Sequence, residues 1–230
     1  KGLLPDVFIR LGISRLCGQR LSEAKVLSTQ AMEEKHQHWI NILKESPVAL
    51  VPEKANEQHY EVPAGFYKNA LGENLKYSCC YFEPLVSDLS IAECRALELT
   101  CEHADLQDGQ NILELGCGWG SLSLWMAKHF PQAKITSVSN SPSQREYITK
   151  QARERKLCNL EVITADVNTL DPGDCYDRVV SVEMFEHVRN HRNLFKRIHS
   201  WLKPNGKLFA HVFCHRATPY PFEVEDEDDW

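Results

Sequence analysis

The run Glu114-Leu115-Gly116-Cys117-Gly118-Trp119-Gly120 constrains the fold of this chain more than any other stretch. It follows a short apolar segment, Asn111–Leu115, and precedes Leu122, Trp125, Met126 and Phe130 at helical spacing. The succession reads as strand, glycine turn, helix. Glycines at such a turn let backbone approach a ligand closely, and the free N–H groups that open the helix favour polar or anionic groups. Three glycines within five residues at a strand–helix junction point to a ligand rather than to a tight turn alone. In open α/β sheets this edge is where ligands sit.

The rest of the pattern extends that unit. Lys134–Val138 alternates as a strand, and Leu160–Thr164 and Asp177–Val182 read as two more. Ser141-Pro142-Ser143-Gln144 reads as a helix start, with a cap, proline at the first helical position, and a glutamine able to close a capping box. Leu194, Ile198 and Leu202 recur every four residues as a helix ended by Pro204-Asn205-Gly206, and Lys207–Cys214 reads as a fifth strand. Strands alternating with helices predict an α/β fold, a doubly wound, mostly parallel sheet. Upstream, residues 5–45 read as helix. Ser22 is expected to cap a second helix with Leu27, Ala31, Trp39, Ile40 and Leu43 roughly on one face, ended by Ser46-Pro47. Residues 47–76 are mixed. The expected division is a helical region over 1–75 and a cofactor-binding domain over 76–230.

The formal net charge is −6, and the six acids at 223 and 225–229 account for all of it. No basic field is left to attract nucleic acid or an anionic membrane. No apolar run reaches the ~18 residues of a membrane span, so no stable membrane insertion is expected. The nine cysteines form no regular framework. That suits a reducing cytoplasm, with most thiols read as small buried hydrophobes. Zinc is not expected. Cys79 and Cys80 are adjacent, and His187 and His191, four apart, lack an evident third ligand. His36 and His38 are read as solvated.

The glycine pattern is G-x-G-x-G, and the second strand ends in Ser139-Asn140-Ser141 without an acid, which disfavours NAD. No lysine of the P-loop type follows, which disfavours ATP. The turn resembles motif I of class I S-adenosylmethionine-dependent methyltransferases. Taken with Tyr77-Ser78-Cys79-Cys80-Tyr81-Phe82 and Val182-Glu183-Met184-Phe185-Glu186-His187, it resembles the cyclopropane fatty acid synthase superfamily. Ala55-Asn56-Glu57-Gln58-His59-Tyr60-Glu61-Val62-Pro63, Glu183, and Phe213-Cys214-His215 running to Asp228-Asp229-Trp230 resemble its coclaurine N-methyltransferase-like branch. That branch methylates amines of plant benzylisoquinoline alkaloids. Its members continue past the Asp-Asp-Trp segment with a helical lid and the last two strands. The chain is therefore expected to be an incomplete piece, with the segment after Cys214 poorly ordered and the sheet edge beyond the fifth strand unpaired.

The resemblance implies S-adenosylmethionine as cofactor. Gly116 and Gly118 are then its backbone contacts, Trp119 lies beside them, and Tyr77 and Ser78 hold its carboxylate end. Asn140, Ser141 and Gln144 replace the usual ribose-binding acid, and Asp166, Val167 and Asn168 grip the adenine. Three of these have structural rivals: a capping box for Gln144, core packing for Trp119 and a turn cap for Asp166. Cys79 is read as an inert buried thiol.

Glu183, Glu186 and His187 stand at the carboxyl end of the fourth strand. Two carboxylates and an imidazole are costly beside a low-dielectric pocket unless they act. Methyl transfer from a sulfonium needs a lone pair on nitrogen, which a protonated amine lacks. A base removes that proton and carboxylates hold the cation meanwhile. His187 has a suitable intrinsic pKa, and Glu186 can orient it or share the proton. By resemblance the cyclopropane branch has glycine at position 183, so Glu183 discriminates. The expected function is N-methylation of a small alkaloid-like amine by a monomer or homodimer. The alternatives are transfer to a lipid alkene, as in cyclopropane-fatty-acyl-phospholipid synthases, and a cofactor-binding module without turnover.

Overall fold

The computed structural model describes residues 5–25, 29–50, 64–173 and 175–214. Leu27, the stretch 55–63 and everything from 215 onward, including the acidic run, lie outside the described residues. The chain forms two compact units, one spanning Lys44–Phe213 and one built on Lys1–Leu43. The N-terminal helices are α1 (Asp6–Lys25) and α2 (Thr29–Glu45). Ser22 lies inside α1, where its hydroxyl donates to the Gln19 carbonyl (2.6 Å), so it does not cap α2. On α2, Met32, His36, Trp39 and Leu43 are half-buried at 3–4 residue spacing, whereas Ile40 is exposed. His38 is exposed and His36 is half-buried.

The larger unit contains α3 (Ala64–Ala70), α4 (Leu89–His103), β1 (Asn111–Leu115), α5 (Ser121–His129), β2 (Lys134–Ser139), α6 (Pro142–Glu154), β3 (Leu160–Thr164), β4 (Tyr176–Val182), α7 (His191–Trp201) and β5 (Leu202–His211). The strand order is β3-β2-β1-β4-β5, and every pairing is parallel. β1 sits in the middle and pairs with both β2 and β4, so the turn after it faces the crevice where the winding reverses.

Alternation along the strands sorts the core onto two faces. Leu113, Leu115 and Val179 pack with Leu194, Ile198 and Trp201 of α7. Ile112, Ile135 and Val180 pack with Leu97 and Cys101 of α4 and Leu122 and Met126 of α5. α4 shows no strong sequence pattern, yet it is well defined. Asp88 caps it by accepting from the Ile91 N–H (3.0 Å).

Two sequence expectations fail by long-range effects. Leu202 does not continue α7. It pairs with Tyr176 as the first residue of β5, and the segment before Lys207 bulges out, with Asn205 left-handed (φ 68°). Most cysteines are also not buried hydrophobes. Cys101 and Cys117 are buried, but Cys17, Cys79, Cys158, Cys175 and Cys214 are exposed. Among the described residues no helix is long and apolar enough to cross a membrane, and β5 is a sheet edge.

Candidate active site

The turn after β1 is built for close approach. The Gly116 and Cys117 N–H groups both reach the Val138 carbonyl of β2 (3.0 Å each), and Gly120 opens α5 with φ 81°. A Cβ at Gly120 would lie 2.5 Å from Ile148 Cγ1 of α6, so that glycine serves packing. Gly118 differs. Its φ is also positive (52°), but a Cβ there meets no protein atom within 4 Å. Its backbone faces a cradle that a side chain would fill.

Beneath the turn Glu114 is buried and accepts from Ser123 Oγ (2.5 Å) and Ser137 Oγ (2.7 Å). Burial raises its pKa, and the two hydroxyls partly offset that rise. Trp119 is 5% exposed and packs between Tyr67 and Tyr147 (ring centroids 5.4 Å each), so the core-packing reading accounts for its burial.

Ser141 caps α6 by accepting from the Gln144 N–H (3.4 Å), with Pro142 at the helix start. The Gln144 side chain does not close the capping box, because the Ser141 N–H goes to Ser139 Oγ (3.0 Å) instead. Gln144 Oε1 accepts from Ser139 Oγ (2.6 Å), which leaves its buried Nε2 donor without a protein partner. A buried, unpartnered donor is costly and calls for a ligand acceptor. Asn140 is half-buried at the end of β2. After β3, Asp166 Oδ1 accepts from the backbone and side chain of Asn168 (2.8 and 3.0 Å). Asn168 in turn clasps both polar backbone groups of Ala49. Its side-chain amide tethers that segment. Val167 packs against the core, and its carbonyl accepts from Arg197.

Residues 72–79 form a strap. Glu93 on α4 is fully buried, and its carboxylate accepts from the Gly72, Asn74 and Lys76 N–H groups (2.9, 2.8 and 3.1 Å). Lys76 is buried too, and its Nζ donates to Ser78 Oγ (2.5 Å) and the Cys79 carbonyl (2.8 Å). Burial lowers its pKa against the pull of Cys80, Cys79, Glu183 and Glu93. Tyr77 is exposed at 58%, with its ring edge-on to Tyr67 (5.2 Å). Glu93→Gln leaves a buried strap donor facing an amide NH₂, so it should cost roughly 1–3 kcal/mol. Urea unfolding checks this, and an unchanged midpoint would show that the strap needs no such anchor.

The strap ends against the turn after β4. Glu183 adopts φ 52°, a left-handed conformation unusual for a side-chain-bearing residue. Its N–H donates to the His211 carbonyl (2.8 Å), and Oε1 accepts from the Cys79 N–H (3.2 Å). Met184 lies over the glycine turn, with its Cβ 2.7 Å from where a Gly116 Cβ would be. Phe185–His187 is one 3₁₀ turn. Glu186 accepts from the Phe213 N–H at the end of the sheet, and its other oxygen, Oε2, is buried without a protein partner. His187 is exposed on this turn. His191 Nε2 donates to the Phe185 carbonyl (3.1 Å). Cys79, read from sequence as a buried thiol, is exposed and stands 3.9 Å (Sγ–Nε2) from His211.

Sequence reasoning passes over Glu93, Lys76 and His211. Glu93 has a local signal, an acid on the Ala92–Ala96–Leu97 apolar face. His211 closes the apolar run Leu208-Phe209-Ala210 and pairs in register with Val182, the last residue of β4 and the neighbour of Glu183.

This assembly has counterparts. A profile described as mycolic acid cyclopropane synthetase matches residues 51–223. (S)-coclaurine N-methyltransferase of Thalictrum flavum subsp. glaucum is 40% identical over 232 residues, covering 100% of this chain and 63% of the relative. A crystal structure of coclaurine N-methyltransferase bound to N-methylheliamine and SAH matches with a TM-score of 0.92 at 38% identity, covering 100% of this chain and 66% of that one. Cyclopropane-fatty-acyl-phospholipid synthase of Escherichia coli (strain K12) is 32% identical over 165 residues, 70% of this chain and 41% of the relative. The chain thus spans less than two thirds of the length of each of these proteins. Because the profile match takes in the strap, the glycine turn and the turn after β4 together, the chain belongs to the mycolic acid cyclopropane synthetase family.

Proposed function

We propose that this chain carries the core of an S-adenosylmethionine-dependent N-methyltransferase acting on a small alkaloid-like amine. The cofactor half of the reading is supported by the open cradle at Gly118 and the unpartnered donor of Gln144. Gly116 and Gly118, with Tyr77 and Ser78, are the residues to hold its amino-acid end. Asn140, Ser141 and Gln144 serve the ribose, and Asp166, Val167 and Asn168 the adenine. When bound, the cofactor supplies a methyl group on a sulfonium, an electrophile open to in-line attack by a nitrogen lone pair.

The observation that carries the amine reading is Glu183. A carboxylate stands at a left-handed position where glycine would sit without strain, and its contact with the Cys79 N–H fixes it at the mouth of the sheet. Strain of about 1 kcal/mol or more is retained where it serves a site. We assign Glu183 to holding the substrate cation, His187 to taking its proton, and Glu186, tied to the Phe213 N–H, to orienting or sharing that proton. The relatives named for coclaurine, tetrahydroprotoberberine and pavine N-methylation support an alkaloid as the substrate class.

Incubation with isotopically labelled S-adenosylmethionine, an amine library and phospholipid vesicles tests the reading by mass spectrometry. The expected product is a methyl group on nitrogen. A bridging methylene in lipid would replace the amine reading with the lipid one, and binding without transfer would leave a cofactor-binding module.

A further inference from the structure

Three side chains at the mouth of the sheet converge from separate segments. Cys79 comes from the strap, Glu183 from the turn after β4 and His211 from the end of β5. One donor atom from each, a sulfur, a carboxylate oxygen and a ring nitrogen, lies within 4.8 Å of the others, and Sγ and Nε2 are 3.9 Å apart. A tetrahedral zinc with bonds of about 2.3 Å to sulfur and about 2.0 Å to nitrogen sets those two atoms about 3.5 Å apart. The sulfur–nitrogen spacing needs to close by only a few tenths of an ångström.

Hydrogen bonds hold the backbone of each ligand in place. Val182 of β4 is in register with His211 of β5, and the Glu183 N–H bonds the His211 carbonyl (2.8 Å). The Cys79 carbonyl is clamped by Lys76 Nζ (2.8 Å), and its N–H by Glu183. Cys79 is exposed, so an ion has access. The Lys76 ammonium is the unfavourable neighbour, but Nζ already donates to Ser78 and Cys79, and a thiolate with a carboxylate balances a dication. One sulfur, one imidazole nitrogen and one carboxylate oxygen form the mixed donor set that zinc and cobalt accept, with a fourth position left open.

We propose that Cys79, Glu183 and His211 form a binding site for a borderline divalent cation, zinc in particular, whose occupancy takes Glu183 away from the amine. The second half rests on the role given to Glu183 above, and the first does not. Cys79 binds as the thiolate and releases its proton to solvent.

Cobalt(II) titration of the full 230-residue chain reads the site directly. One equivalent should develop a sulfur-to-cobalt charge-transfer absorption in the near ultraviolet. Cys79→Ser should abolish it and His211→Ala weaken it, while Cys80→Ser, one residue away, leaves it intact. Zinc should also protect Cys79, and not Cys158, from alkylation, as seen by peptide mass spectrometry. No absorption, or one that survives Cys79→Ser in a protein of unchanged circular dichroism, would overturn the site. Zinc bound at Cys79 with methyl transfer undiminished would overturn the second half. A chain that binds cobalt but methylates nothing keeps the site and loses the functional reading instead.

Discussion

His187→Ala and Glu186→Gln are each expected to slow methyl transfer by roughly 10²–10⁴-fold, the usual weight of general base catalysis. Affinity for S-adenosylhomocysteine should change little, because neither residue is assigned to its recognition. The two act as one unit, so the double variant should lose far less than the product of the singles. Raising the pH should partly rescue His187→Ala, since more of the amine then arrives already neutral. Glu183→Gly is a useful companion. It relieves left-handed strain of about 1 kcal/mol and gives up one exposed hydrogen bond of about the same size. Stability should therefore stay nearly level while amine turnover falls, though less than in the base variants. Unchanged turnover in both single base variants, with the fold intact, would mean that the substrate is neutral on arrival and the turn after β4 only positions it.

The second large effect separates two glycines of one turn. Gly120→Ala drives a Cβ to 2.5 Å from Ile148 Cγ1, and Ile148 is fully buried. Overpacking of this kind costs roughly 1–3 kcal/mol, and the left-handed backbone adds roughly 1–2 kcal/mol for any residue with a Cβ. The thermal midpoint should fall markedly. At Gly118 an added Cβ meets no protein atom within 4 Å, so in Gly118→Val the backbone cost should dominate and the fold should survive. S-adenosylhomocysteine binding should nevertheless be abolished, because the side chain fills the cradle. Calorimetry on both variants and on the parent checks this, with NAD as the control expected not to bind. Tight S-adenosylhomocysteine binding by Gly118→Val would show that the cradle is not the cofactor's.

The polar strap and the metal-like cluster show why part of the site stays hidden from a reading of the chain alone. Glu93 and Gly72 are 21 residues apart, and Cys79 and His211 are 132 apart. No spacing rule reaches across such intervals. Lys76 and Glu93 look like ordinary solvated charges until the fold buries both and saturates the Glu93 carboxylate with strap N–H groups.

What the sequence determined by itself is what depends on near neighbours. The Asn111–Leu115 strand, the Ser141-Pro142 helix start, the Leu160–Thr164 strand and the glycine turn were all legible. Each follows from side-chain periodicity, capping chemistry or backbone freedom within a few residues. The turn after β4 could be picked out as chemistry because its acids and histidine stand together in the chain. Tertiary structure alone decided the start of β5 at Leu202, since its strand character comes from pairing with Tyr176. It also decided which cysteines are buried, and it tied the Asn168 amide to the backbone of Ala49. Above all it placed Glu183 against Cys79 and His211. Burial, strand register and left-handed strain are properties of the assembled sheet, and the local pattern carries no information about them.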